Sequence, residues 1–385
     1  MPADDVIPVA DLAEEDADPV AVDEADVQLV VAGLQLHLHY AHLASSRPNA
    51  PILLLLHGHS SSIHEFDDLY AHLAPHFEVF SFDQPNNGQS CDVEVPAVIA
   101  AYDDDRWRGF EGLFFLRDTV DAFARAVVAP AAGGRPIIVA GGSLGGNLGL
   151  FVAEVEPAYD WLERVVVWSP GSAWTEGGDK PIGAGVARAR ANASWTRDAL
   201  LQIVYCQPTV PLPGSRPQPW FWYWDCWGQP QGPCVRKGGG ACPLCQGVPE
   251  VDFPTSGYPG MGARKKTAIE QDFAMSKANL TDRAATRGFW HWEIAAEEVE
   301  FSHWKQYGGK PRYASIGCDV DFLAGMEDNH APADLYDATR ALCQATIAAL
   351  EDTPLAVRGR WLEQTGHSIH NERPTALTKV LMSEL

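Results

Sequence analysis

The chain has 385 residues, 46% of them hydrophobic, and a formal net charge of −23. This length and apolar content allow a large core in one domain or two, and the negative charge excludes long-range attraction to nucleic acid or anionic membranes. Ten acidic residues precede the first basic residue, Arg47, and predict a solvated, disordered tail over residues 1–26. With no membrane-length apolar run and no secretory signal pattern, we expect a cytoplasmic protein.

Segments with strand and helix patterns alternate along two stretches of the chain. In residues 27–170, the pattern predicts strands at 27–31, 34–43, 52–56, 77–83, 137–140 and 164–168, and helices at 115–128 and 148–155. In residues 310–385 it predicts a strand at 311–317, a helix at 332–350 and a strand at 354–362. Such alternation indicates an α/β fold with a mostly parallel sheet and helices on both faces.

The alternation stops between residues 171 and 309, a segment rich in Trp, Gly, Pro and Cys. We interpret it as a cap or lid inserted into the α/β core, which it divides into residues 27–170 and 310–385. Further towards the amino terminus, His37, His39 and His42 lie on a predicted strand. Alternation on a strand with one solvated face explains these histidines better than a metal site does.

The most informative segment is residues 137–147, in which an apolar run leads into Gly141-Gly142-Ser143-Leu144-Gly145. This pattern predicts a buried strand, a sharp turn with Ser143 at its apex, and a helix. Glycines are needed there because side chains at Gly141 or Gly145 would collide with the neighbouring strand and helix. By itself the pattern is common, and a plain helix cap after a strand would also account for it.

A serine hydroxyl becomes a nucleophile only when a base removes its proton, and a third group must orient that base. The loop after the last predicted strand contains His367, our predicted base, and His370, a competitor that would face away from the strand end. For the orienting acid we predict Asp321, with Asp319 as the alternative, since both follow the strand predicted at 311–317. Glu327 and Asp328 are farther along and are predicted to be solvated.

Four separate motifs give the chain its resemblance to the α/β-hydrolase fold superfamily. They are His57-Gly58 after a strand, residues 83–90 as a D-x-P-x-x-G-x-S turn, the serine turn at 141–145, and Gly366-His367 followed by Glu372-Arg373-Pro374. The resemblance implies an oxyanion hole made by the backbone N–H groups of Leu144 and His59. Relatives that cut carbon–halogen bonds or epoxides carry aspartate at the serine position, so Ser143 implies acyl chemistry.

The sequence therefore predicts a serine hydrolase that cleaves a small-molecule carboxylic ester with an apolar or aromatic acyl part. An acyltransferase of the same fold is the alternative, and a non-catalytic ligand-binding or interaction module is the alternative from another class. The aromatic residues at 220–227 are either the walls of an apolar pocket above Ser143 or the insert's own core. The oligomeric state does not follow from the sequence.

A cluster of cysteines in the insert suggests a structural metal. Cys242-Pro243-Leu244-Cys245 forms a knuckle pattern that, with Cys226 and Cys234, predicts a four-thiolate zinc site. Four thiolates leave no open coordination position, so such a zinc would be structural, and no cofactor is expected for catalysis. Two disulfides or four reduced thiols are the alternatives.

Overall fold

The computed structural model describes residues 6–12, 15–58, 61–102, 111–153, 159–169, 317–325, 357–363, 365 and 368–383. Nine strands of this described part form a single sheet in the order β1-β9-β8-β7-β6-β4-β5-β3-β2. The strands are β1 (Val6–Ile7), β2 (Asp23–Val31), β3 (Leu34–Leu43), β4 (Ile52–Leu56), β5 (Glu78–Phe82), β6 (Ile137–Gly142), β7 (Arg164–Trp168), β8 (Asp319–Gly325) and β9 (Val357–Leu362). The β2–β3 and β3–β5 pairs are antiparallel, and the other pairs are parallel.

Helices cover both faces of the sheet. The helices are α1 (Asp67–Leu73), α2 (Val95–Ala101), α3 (Glu111–Phe123), α4 (Ala129–Ala132), α5 (Leu144–Ala153), α6 (Ile369–Glu372) and α7 (Pro374–Leu381). One core layer contains residues of α2, α3 and α5, and the other contains residues of α1, α6 and α7. Strands such as β4, with all five residues buried, are apolar throughout because both of their faces are covered. The predicted fold class is confirmed.

The acidic amino-terminal segment is not a free tail in the residues that the structure describes. Strand β1 pairs in parallel with β9, and Leu12 is buried with 1% exposure. The four residues 23–26 belong to β2, where they pair with β3. The predicted disorder is therefore wrong for these residues, because apolar side chains and backbone pairing outweigh the local excess of negative charge.

The predicted acid lies within a strand that the prediction did not include. That strand, β8, spans Asp319–Gly325, whereas residues 311–316 of the strand predicted at 311–317 lie outside the described residues. Two aspartates in an otherwise apolar run obscured this strand, because the burial of Asp321 depends on charged partners elsewhere in the chain. The predicted helix at 332–350 and the insert at 171–309 lie outside the described residues.

Candidate active site

Ser143 is the apex of a sharp turn between β6 and α5. Its φ of 53° lies in the left-handed region that non-glycine residues rarely adopt. The Ser143 N–H donates to the carbonyl of Trp168 at 3.0 Å, which continues the pairing of β6 with β7 by one residue. The next residue, Leu144, begins α5, so the first N–H groups of that helix lie beside the serine. The predicted turn geometry is thus present.

The glycines around Ser143 have no room for a side chain. A β-carbon at Gly145 would lie 1.9 Å from the carbonyl oxygen of Leu56, and one at Gly141 would lie 2.6 Å from the carbonyl carbon of Gly145. A β-carbon at Gly142 would lie 2.0 Å from Nε1 of Trp168. The end of β4, the start of α5 and the Trp168 indole therefore pack directly on the turn that carries the serine.

The segment after β4 is held by hydrogen bonds on both sides of Gly58. The His57 imidazole accepts the Gln84 N–H at Nε2 (2.9 Å), so its Nδ1 carries the proton and donates to the Gly58 carbonyl at 2.8 Å. The Gly58 N–H donates to Oε2 of Glu65 at 2.7 Å. A β-carbon placed on Gly58 would lie 3.7 Å from the Ser143 Cβ, so Gly58 passes close to Ser143.

Glu65 is a buried acid beside the site that sequence reasoning missed. It lies in the short helical turn Ile63–Phe66 and is 8% exposed. Its Oε1 faces Nε2 of His370 at 3.5 Å. The only local signal is an acidic residue set between the apolar Ile63 and Phe66 just after the His57-Gly58 motif, and that signal is weak.

The competitor histidine, His370, is buried beneath the serine turn. Its Nδ1 accepts the indole N–H of Trp168 at 3.1 Å, and its Nε2 lies 3.5 Å from Oε1 of Glu65. The ring also contacts Phe66 edge to face, with the centroids 5.9 Å apart. One ring nitrogen of His370 is thus hydrogen-bonded to Trp168, and the other lies near Glu65.

The D-x-P-x-x-G-x-S turn is organised by the buried carboxylate of Asp83. Its two oxygens accept the N–H groups of Ile63 and Gln89, each at 2.7 Å. Gly88 has a φ of +50°, and a β-carbon there would lie 1.9 Å from Asp83 Oδ2, so only glycine fits. Asp83 therefore ties the turn after β5 to the segment that contains Glu65.

Asp321 lies inside β8 and not in a loop after it. It pairs with Val166 of β7, which lies two residues before Trp168, the residue that pairs with Gly142 next to the serine. Strand β8 continues for four more residues and ends at Gly325. Its carboxylate contacts Arg360 Nη1 at 2.7 Å, Arg358 Nε at 2.8 Å and Arg164 Nε at 3.7 Å. The alternative acid, Asp319, begins the same strand. The predicted loop position of both aspartates is wrong, and Asp321 is the centre of a buried ion-pair cluster.

The histidines of β3 contact carboxylates. His39 lies 2.9 Å from Asp26 and 3.1 Å from Glu24, and His42 lies 2.9 Å from Glu78. The hydrogen bond with His39 lowers the pKa of Asp26 below its ordinary value. Among the described residues, no group of three or more His, Cys, Asp and Glu side chains could hold a metal ion.

Several predicted site residues lie outside the described part of the chain. These are His367, His59 and the four insert cysteines, Cys226, Cys234, Cys242 and Cys245. Glu327 and Asp328, which were predicted to be solvated, also lie outside it. The structure brings together Ser143, Leu144 and Gly58, and it separates Asp321 from them. None of the helices in the described ranges is both apolar and long enough to cross a membrane.

Comparison with known proteins agrees with this geometry. The profile of the alpha/beta hydrolase family matches residues 53–380. Since that match spans most of the chain, the protein belongs to the alpha/beta hydrolase family, a family of hydrolytic enzymes. No curated protein is similar enough in sequence to count as a match.

Solved structures share the fold at low sequence identity. The enol-lactonase from Burkholderia xenovorans has a TM-score of 0.55 and 16% identity, and the match covers 93% of this chain and 99% of the lactonase. A hydrolase from Pseudomonas aeruginosa has a TM-score of 0.53 and 17% identity, with 93% and 97% covered. A laboratory-evolved variant of a potato epoxide hydrolase has a TM-score of 0.54 and 13% identity, with 94% and 98% covered.

Proposed function

We propose that this protein is a serine hydrolase that cleaves a small-molecule carboxylic ester through an acyl-enzyme. The observation that carries the proposal is the left-handed backbone of Ser143 at the turn between β6 and α5, packed so closely that the adjoining glycines cannot bear side chains. Strain of this kind costs about 1–3 kcal/mol and persists where a function requires it. The turn directs the serine hydroxyl away from the sheet towards the first N–H groups of α5.

In this mechanism Ser143 attacks the ester carbonyl and His367 takes its proton. The N–H groups of Leu144 and His59 stabilise the negative oxygen of the tetrahedral intermediate. His367 then returns the proton to the leaving alcohol, and water hydrolyses the acyl-enzyme with the same base. The burial of His370 and the hydrogen bond that its Nδ1 accepts from Trp168 support His367 as the base.

The acid of the triad follows from where β8 ends. A carboxylate that orients a histidine above the sheet must come after the carboxyl end of its strand. Because β8 ends at Gly325, the first carboxylates beyond it in the sequence are Glu327 and Asp328. We therefore assign the role to this pair in place of Asp321, with Asp328 as the first choice because it leaves a longer loop to reach His367.

The nucleophile decides between ester and epoxide chemistry. A carboxylate that opens an epoxide forms an ester, which water can cleave in the same site. A serine hydroxyl would form an ether, which the same machinery does not hydrolyse. Ser143 therefore favours an acyl substrate, although the potato epoxide hydrolase shares the fold.

The insert supports an apolar or aromatic acyl group. It leaves the core after β7, whose carboxyl end lies at the same edge of the sheet as Ser143. Its sequence supplies tryptophans and other rings for a pocket at that edge. We further propose that Cys226, Cys234, Cys242 and Cys245 bind one structural zinc, which takes no part in catalysis.

The proposal is tested with aryl esters of increasing acyl length, measured with the wild-type protein and Ser143→Ala. We expect turnover with a chain-length optimum for the wild type and none above background for Ser143→Ala. Equal rates for both proteins would exclude the mechanism. If an alcohol or thiol acceptor is added and acyl transfer to it is faster than hydrolysis of the ester, the protein is an acyltransferase instead.

The zinc proposal needs a separate measurement. Elemental analysis of the purified protein should give about one zinc per chain, and about none for a variant with all four insert cysteines replaced by serine. Metal-free wild-type protein that is folded and active would contradict the site.

A further inference from the structure

We infer that Glu65 is a positioning residue of the oxyanion hole, a role that rests on the proposed function. Glu65 is a buried carboxylate that belongs neither to the proposed triad nor to the donors of the oxyanion hole. Its Oε2 accepts the Gly58 N–H at 2.7 Å, and Gly58 is the residue immediately before His59. Glu65 thereby fixes the backbone that directs the proposed donor.

The geometry brings Glu65 near the nucleophile. The point that a β-carbon would occupy on Gly58 lies 3.5 Å from Glu65 Oε1 and 3.7 Å from Ser143 Cβ. Glu65 Oε1 and Ser143 Cβ are therefore separated by no more than the sum of these two distances. A displacement of the Glu65 side chain would be transmitted to the space beside the serine through one glycine.

Both the N–H and the carbonyl of Gly58 are fixed by hydrogen bonds. Glu65 accepts the N–H on one side, and the Nδ1–H of His57 donates to the carbonyl on the other side at 2.8 Å. That carbonyl shares a planar peptide unit with the N–H of the next residue. In a trans peptide unit the two groups point in opposite directions, so fixing the Gly58 carbonyl fixes the direction of the following N–H.

Glu65 is itself fixed by a second layer of contacts. His370 presents Nε2 to its Oε1 at 3.5 Å, and the Trp168 indole N–H holds the opposite nitrogen of that ring at 3.1 Å. The same indole packs on Gly142, next to the serine. The chain of contacts thus links the oxyanion segment to the serine turn, and both parts of the site keep their relative positions.

The role is tested by comparing Glu65→Gln with Glu65→Leu. The glutamine keeps an oxygen that accepts the Gly58 N–H, whereas leucine has a similar volume and no acceptor. We expect Glu65→Leu to lower kcat by about 10- to 100-fold with KM nearly unchanged, because a misdirected oxyanion donor weakens binding of the transition state only. Glu65→Gln should stay within about 3-fold of the wild type.

A tetrahedral inhibitor gives a second readout. An aryl trifluoromethyl ketone that adds to Ser143 places its oxyanion in the hole, so its affinity should fall in Glu65→Leu in parallel with kcat. Tyr70→Phe serves as the stability control, since it removes a buried hydroxyl that bonds Ser81 and the Ile63 carbonyl on the adjoining helix. We expect this control to lower the unfolding midpoint without changing kcat.

Three results would overturn the inference. Unchanged kcat and inhibitor affinity in Glu65→Leu would exclude a positioning role. An equal loss in Glu65→Gln would show that the charge matters and not the accepted hydrogen bond. Absence of turnover and of Ser143 modification in the wild type would instead contradict the proposed function, and this inference with it.

Discussion

At the scale of single residues, the site depends on which positions lack side chains. Ser143 holds a left-handed backbone, and Gly141 and Gly145 let β4 and α5 approach it. The strain at Ser143 is maintained because the strand before it and the helix after it are both buried. A side chain at either glycine would displace Ser143 or distort the turn.

Gly145→Ala tests this dependence. The new β-carbon would lie 1.9 Å from the carbonyl oxygen of Leu56, and backbone cannot move aside cheaply. We expect the free energy of unfolding to fall by about 3 kcal/mol or more, together with loss of ester turnover. Urea denaturation and initial rates measure both effects.

Gly149→Ala is the matched control on the same helix. The nearest atoms to its β-carbon would be methyl groups of Val165 and Val167 at 3.3 Å and of Val139 at 3.7 Å, and the two closer ones need to shift by a few tenths of an ångström. Alanine also favours a helix over glycine by about 1 kcal/mol. We expect near wild-type activity, and similar losses in the two variants would contradict the account of the turn.

At the scale of elements, the end of β8 separates the acid of an ion-pair cluster from the acids that we propose for the triad. Asp321 on β8 lies between Arg164 on β7 and the arginines of β9, and Arg164 in turn donates to the Leu381 carbonyl at the end of α7. The cluster therefore joins three strands to the last helix. This is a stabilising role, remote from the level at which Ser143 lies.

Asp321→Asn and Asp328→Asn should have opposite effects. Removing the charge of Asp321 leaves the buried Arg164 and the partly buried arginines of β9 uncompensated, so we expect a loss of about 3 kcal/mol in unfolding free energy with kcat of the folded protein retained. Asp328→Asn should keep the stability and lower kcat by about 10³- to 10⁴-fold, because His367 loses its orienting partner. Denaturation curves and kcat normalised to folded protein distinguish the two.

The reverse pattern would return the triad role to Asp321. If Asp328→Asn leaves kcat unchanged, Glu327→Gln tests the other candidate acid. Unchanged kcat in both variants would contradict a triad acid after the carboxyl end of β8.

The sequence predicted the elements that are apolar throughout and missed those that depend on distant partners. The strands β4, β6 and β7 and the serine turn were confirmed because continuous apolar runs and glycine spacing are local signals. Strand β8 was misplaced because Asp321 is compensated by arginines 37 and 39 residues away in the chain. Glu65 was missed for the same reason, since its partner His370 comes from the far end of the chain.

At the scale of the whole molecule, the two ends of the described chain are joined. Strand β1 extends the sheet beyond β9, and the Leu12 carbonyl accepts from Arg373 at 3.2 Å. The Glu15 N–H donates to Thr375 at the start of α7. The amino-terminal segment thus covers the edge strand that leads to His367.

Deletion of residues 1–12 should therefore destabilise the protein. It exposes the β9 edge and removes the buried Leu12, so we expect a loss of about 2–4 kcal/mol and a lower melting temperature. Thermal unfolding followed by circular dichroism measures this effect. An unchanged melting temperature would instead favour the disordered tail that composition predicts.

If Ser143 is an activated nucleophile, a fluorophosphonate will label it covalently. Intact-mass spectrometry after treatment with a fluorophosphonate should show one adduct per chain, mapped to Ser143, absent in Ser143→Ala and formed at least about 100-fold more slowly in His367→Ala. No adduct on the folded wild-type protein, or an adduct that persists in Ser143→Ala, would contradict the claim.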